Sequence, residues 1–269
     1  FGGNYRDSIR VYLDLSSPKD LANLDEWRGL AAYSKTEGFT HIKFDIDYTA
    51  PDLTEDSWNR IITLPQMNRI VERISAVRDE VGWETEIAVD CHWHYDVVSA
   101  IALANELAHL KLVWMEDPTP ATNPDALAEV RAKSPIPICV GEMFDAEQFR
   151  MFIDRRACDI IHPDVLFTGG LHETRKISDY SDLHYIPMAM HGNGGPVATI
   201  AASHVAAASP NFIGLEYHFQ GAPWVEKIVH NEGSLFNDGY IQMTDRPGLG
   251  FDLDMDLCSK HLAYGETLF

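Results

Sequence analysis

Basic residues are scarce in this chain of 269 residues: 21 Lys and Arg stand against 41 Asp and Glu, a formal net charge of −20. That deficit argues against nucleic acid or an anionic membrane surface as a partner. No run of about 18 apolar residues occurs, so no membrane-spanning helix is expected. The opening segment, FGGNYRDSIRVYLDL, has no apolar stretch behind basic residues, so it does not read as a signal peptide. It also lacks an initiator Met, and the chain is expected to be a processed or trimmed piece. There are four cysteines, Cys91, Cys139, Cys158 and Cys258, and no CxxC pair. They are too few to staple a domain of this size, so reduced thiols and a cytoplasmic location are expected. No GxGxxG follows the first candidate strand, which argues against a dinucleotide-binding fold.

What is present is an alternation. Short apolar runs rich in β-branched residues fall at Ile9–Leu13, His41–Phe44, Glu86–Val89, Leu112–Met115, Ile136–Val140, Ile160–His162, His184–Pro187 and Phe212–Leu215. Such runs suit strands buried on both faces. Amphipathic segments lie between them at Gln66–Asp79, Tyr95–His109, Asp125–Lys133, Ala146–Arg155 and Gly170–Tyr180. Asp96 near one start and Asp125 after Pro124 are helix-start signals. Eight strands with intervening helices predict an α/β fold, a TIM-like (β/α) barrel rather than an open sheet. The longest insertion, from Asp45 to Leu64, follows the second strand and reads as a lid or specificity loop. Residues 1–217 carry the β/α rhythm, while 218–269 read as an extension packed outside the barrel.

Barrel active sites lie at the C-terminal ends of the strands. Those positions hold Lys43, Asp45, Asp90, His92, Glu116, Glu142, Asp164, His191 and Glu216. Asp90, Glu116 and Glu142 are each 26 residues after the last, about the length of one strand–helix unit. A lone acid at a strand end is ordinarily a helix cap or a solvated loop residue. Three in register repel one another in a low dielectric unless a cation compensates. Oxygen-only ligands point to a hard ion, and Mg²⁺ is the first choice.

The runs EIAVD, WMEDP, VGE, HPDVLFTGGL and MHGNGGP together resemble the enolase superfamily, and within it the mandelate racemase subgroup and its acid-sugar dehydratases. The likeness runs from FGGNYRD through PGLGFDLD. It implies a modified (β/α)7β barrel, an essential Mg²⁺ and removal of the proton α to a substrate carboxylate. On that reading Asp90, Glu116 and Glu142 hold the metal, and His191 is the base. Asp164 hydrogen-bonds the far ring nitrogen of His191. Glu216 resembles the family's strand-eight acid and could hydrogen-bond the substrate carboxylate if protonated, the direction in which the surrounding anionic charge is expected to move its pKa.

Two positions separate the activities within the subgroup. Racemases carry a second base as the latter Lys of a KxK motif, and this chain reads Lys43-Phe44-Asp45. His92, two residues after Asp90, is expected to point the same way from the strand and to protonate a departing β-hydroxyl. An Asp-x-His at this strand resembles the dehydratases acting on galactonate-like acids. Trp93, His94 and Asp45 are candidates to touch the substrate. The leading expectation is a dehydratase forming a 2-keto-3-deoxy acid. A racemase or epimerase, and a non-catalytic acid-sugar binder, stay open. The partner expected is a small carboxylate substrate, and a homo-oligomer is expected. The resemblance also implies an N-terminal α+β capping domain, which this sequence does not contain: it precedes the chain, or the protein lacks it.

Overall fold

A computed structural model of the chain describes residues 1–47, 59–218, 224–229 and 235–268. Eight parallel strands close on themselves: β1 (Ser8–Asp14), β2 (His41–Asp45), β3 (Glu86–Asp90), β4 (Trp114–Glu116), β5 (Ile138–Val140), β6 (Ile160–Ile161), β7 (Met188–Met190) and β8 (Phe212–His218). β1 pairs with both β2 and β8, which shuts the ring. Among the described residues seven α-helices lie between them: α1 (Leu24–Thr36), α2 (Leu64–Val81), α3 (Val97–Leu107), α4 (Pro124–Lys133), α5 (Ala146–Asp154), α6 (Leu171–Leu183) and α7 (Gly195–Ala208). The expected (β/α)7β barrel is therefore the fold. A ninth strand, β9 (Tyr240–Gln242), pairs antiparallel with β1 outside the ring, and a short α8 (Met255–Lys260) follows. No described helix is long and apolar enough to cross a membrane. All four cysteines are free.

Helix starts follow their caps. Asp96 accepts from Ser99 N to begin α3, and Thr63 with Gln66 forms a capping box at α2. At α4 the cap is Asn123 rather than Asp125, with Pro124 in the first turn. Two helices went unread in the sequence. In α7 ten of fourteen residues are buried, so it has no polar face to set a period. In α1 only Trp27, Ala31 and Ser34 are buried. The seventh strand is also displaced: His184–Pro187 is not a strand. His184 caps α6, Tyr185 turns with φ 59°, and β7 begins after Pro187.

The lower barrel is plugged by Tyr12, Ala88, Trp114, Cys139, Ile160 and Ala189. His41 stacks on Tyr12 and meets the Trp114 ring edge-on. This packed floor leaves the upper, C-terminal mouth as the place where polar side chains gather. Of the Asp45–Leu64 insertion read as a lid, residues 48–58 lie outside the described residues.

Candidate active site

The mouth encloses a cavity of about 460 Å³ lined by Asp14, Lys43, Asp45, Asp90, His92, Glu142, Asp164, His191 and His218, among others. Strand register puts the acids level with one another. Asp45 stands beside Asp90, and Asp90 beside Glu116. Glu142 lies two residues past the end of β5, after Gly141 at φ 115°. A Cβ at Gly141 would fall 2.4 Å from the Phe149 ring, so glycine is required for that turn. Asp90, Glu116 and Glu142 bring oxygens within 4.8 Å of one another. An all-oxygen donor set of three carboxylates fits a hard divalent cation.

Part of the compensation comes from the protein itself. Lys43 is fully buried, and its Nζ lies 2.5 Å from Glu216, 2.7 Å from Glu116, 3.2 Å from Asp90 and 3.3 Å from Asp14. Burial works to lower its pKa, but those four carboxylates outweigh it and hold Lys43 charged. Glu116 has a partner at each oxygen. Its Oε1 takes the Lys43 ammonium and lies 3.1 Å from His162 Nε2, and its Oε2 accepts from Trp114 Nε1 at 3.0 Å. Burial opposes ionisation of Glu116, yet His162 and Lys43 keep its pKa below the usual carboxylate range. Asp90 goes the other way: burial first, then the Glu116 charge, push it well up.

On the neighbouring strands the charges are paired more completely. His191 Nδ1 is 2.6 Å from Asp164 Oδ2, whose other oxygen accepts from Leu166 N at 2.7 Å. Asp164 thus spends both oxygens fixing the ring. His191 Nε2 lies 3.5 Å from Glu142 and 3.6 Å from Glu216. Burial works to lower the His191 pKa, but the Glu216 charge and the Asp164 hydrogen bond raise it overall. Gly192 N donates to Glu216 at 3.1 Å, and a Cβ on Gly192 would meet the Glu216 carbonyl at 2.2 Å. Only glycine permits that approach.

Two expectations need correction. Glu216 is not driven toward its protonated form. Burial raises its pKa, but Lys43, His191 and His162 outweigh burial and hold it well below the usual range. Counting nearby acids missed these three cations because they come from other strands. The reason given for His92 also fails. β3 ends at Asp90, and His92 sits in a left-handed turn at φ 43°, so strand alternation does not aim it. It reaches the cavity by a different route. Its backbone N–H donates to Asp90 at 2.9 Å, and its ring Nδ1 lies 3.0 Å from Asp47. Burial lowers its pKa, but Asp47 and Asp90 raise it to about 10.

Lys43, Asp45, Asp90, His92, Glu142, Asp164 and His191 all line the cavity, with Glu116 and Glu216 beneath it. Trp93 and His94 do not line it among the described residues. The Trp93 carbonyl accepts from Arg60 at 2.6 Å, and His94 packs edge-on against Tyr95. His162 and Asp14 went unread in the sequence. His162 is fully buried, with Nδ1 2.9 Å from the Ala189 carbonyl and Nε2 facing Glu116 and Glu216. Its place directly after a strand, in the same HPD run as Asp164, was the available signal.

Comparison with known proteins gives a consistent picture. The chain is 40% identical over its whole length to the D-xylonate dehydratase of Haloferax volcanii and covers 65% of it. It is 30% identical over 87% of its length to a D-mannonate dehydratase of Caulobacter vibrioides and covers 58% of that protein. The chain thus spans less than two thirds of these curated relatives. A mandelate racemase/muconate lactonizing enzyme-like protein from Rubrobacter xylanophilus superimposes with a TM-score of 0.93 at 37% identity. That match covers 98% of this chain and 71% of the other. The family model for the enolase C-terminal domain-like fold matches residues 27–257.

Proposed function

The chain belongs to the enolase C-terminal domain-like family, and from that premise we propose that its barrel mouth dehydrates an acid sugar with the help of Mg²⁺. The carrying observation is the His191–Asp164 pair at 2.6 Å, with its Nε2 turned toward Glu142 of the three-acid set. The D-xylonate and D-mannonate dehydratases among its relatives support the substrate class.

Asp90, Glu116 and Glu142 would hold the cation, which supplies positive charge to the substrate carboxylate and makes its α-proton more acidic. His191 Nε2 takes that proton. Asp164 accepts the Nδ1–H, so the lone pair sits on Nε2, and the imidazolium formed is stabilised. His92, kept protonated up to about pH 10, gives its proton to the β-hydroxyl. The C–O bond breaks, water leaves, and the enol tautomerises to a 2-keto-3-deoxy acid. Lys43 and His162 hold Glu116 and Glu216 ionised through the cycle.

A second reading has its own observation. Asp45 lines the cavity at the position of the racemases' second base, and burial, then Asp14, raise its pKa to about 7. It can therefore exchange a proton near neutrality, as an epimerase requires. One experiment separates the two. The full-length protein with Mg²⁺ is offered five- and six-carbon aldonates, xylonate first, and 2-keto-3-deoxy product is measured beside α-deuterium exchange. Product supports the dehydratase. Exchange without water loss supports the epimerase. Neither reaction on any aldonate sinks both.

A further inference from the structure

Glu216 and His218 are two apart on β8, so both face the barrel interior. β1 places Asp14 in register with His218. His218 Nε2 is buried, 3.9 Å from Asp14 and 3.8 Å from Glu216, and makes no hydrogen bond among the described residues. A fifth of the side chain is exposed, and the residue lines the same cavity as His191 and His92. With Nε2 turned toward two carboxylates, Nδ1 is the ring nitrogen left to the cavity. The ring centroid lies 6.5 Å from that of His191. The dehydration steps above use neither His218 nor Asp14.

Ring order gives this pair a place. β8 stands across the barrel from β4, which carries Glu116. A substrate gripped by its carboxylate at the β3–β5 side therefore extends its chain across the mouth toward β8 and β1. We propose that His218, steadied from behind by Asp14, forms a hydroxyl subsite for the substrate carbons beyond the two that react. The ring offers one hydrogen bond to a secondary alcohol, and its fixed position on a strand end lets it read configuration there. The inference rests on the acid-sugar reading and deepens it.

Steady-state kinetics on the full-length protein with Mg²⁺ test it. His218→Asn raises KM for a five-carbon aldonate about 10-fold, the worth of one hydrogen bond, and leaves kcat within about twofold. Competitive inhibition by 2,3-dihydroxypropanoate, which has no carbon beyond the reacting pair, stays unchanged. Asp14→Asn gives the same pattern more weakly. Equal losses on both acids, or none, overturn the subsite. A second measurement needs no variant. The His218 ring ¹⁵N resonances of the wild-type protein shift when the five-carbon acid is added and not with the three-carbon acid. Absence of that difference also overturns the subsite. A wild-type protein that turns over no aldonate, yet shows the His218 shift, points instead to the failure of the dehydratase reading.

Discussion

The two sides of the barrel mouth solve the same electrostatic problem differently. On the β3–β5 side, Asp90, Glu116 and Glu142 converge, and among the described residues the basic groups reaching them come from β2, β6, β7 and, at His92, the turn after β3. Compensation is uneven: Glu116 is driven down and Asp90 up. On the β6–β8 side each charge is met: His191 by Asp164, and Glu216 by the Gly192 amide together with Lys43 and His162, which it shares with Glu116. One side is built to receive a cation. The other is already neutralised and can move a proton without reorganising. That division matches what α-proton abstraction needs, since enolate charge must be met by a fixed field while the base stays poised.

The comparison breaks first at the base. His191→Asn removes the proton acceptor while sparing the acids. Alpha-deuterium exchange is expected to fall by about 10²–10⁴-fold, with Mg²⁺ binding by calorimetry retained. Exchange at the wild-type rate would remove His191 from the role. The next largest effect is Lys43→Met. It strips the internal cation from four buried carboxylates, and unpaired buried charge costs about 3–5 kcal/mol. Thermal unfolding should show that loss without metal and a partial recovery with Mg²⁺. An equal loss with and without Mg²⁺ would mean that Lys43 and the cation do not share the same acids. Asp164→Asn is milder: the base survives but loses its orientation. Turnover is expected to fall about 10–100-fold, as for other partners that orient an imidazole. The pH at which His191 deprotonates should drop, because the mutation removes one of the interactions that raise its pKa.

Much of this was legible in the sequence, but unevenly. The 26-residue step from Asp90 to Glu116 matches their strand register, and the next equal step reaches Glu142, two residues past β5 at the same mouth, so barrel, acids and the His191–Asp164 pair could all be read. What escaped depends on contacts across the barrel. Lys43 reaches four acids on four other strands, and His162 reaches acids on β4 and β8. No local pattern reports such reach, and so the ionisation of Glu216 was misjudged. His92 was placed in the site for the wrong reason: a left-handed turn, not strand alternation, delivers it. β7 was misplaced because Tyr185 and Ile186, in the turn after α6, have the aromatic and β-branched side chains of a strand.

The smallest effect probes the border between the two sides, where Asp45 stands next to Asp90. In the folded protein its pKa is raised from 3.8 to about 7, chiefly by burial and then by the Asp14 charge. A raised carboxylate pKa means the folded state holds a proton that the unfolded state has already released. Between about pH 4 and 7 the native state therefore binds more protons, and stability falls as pH rises through that window. Asp45→Asn removes this contribution, so the metal-free variant should lose less stability than the wild type between pH 5 and 7.5, read from urea unfolding midpoints. With Mg²⁺ bound, nearby positive charge favours the carboxylate, and the two proteins should converge. If their pH profiles run parallel without metal, Asp45 is ionised throughout and belongs with the self-neutralised side. It would then be a poor proton acceptor at neutral pH, and the epimerase reading would lose its supporting observation.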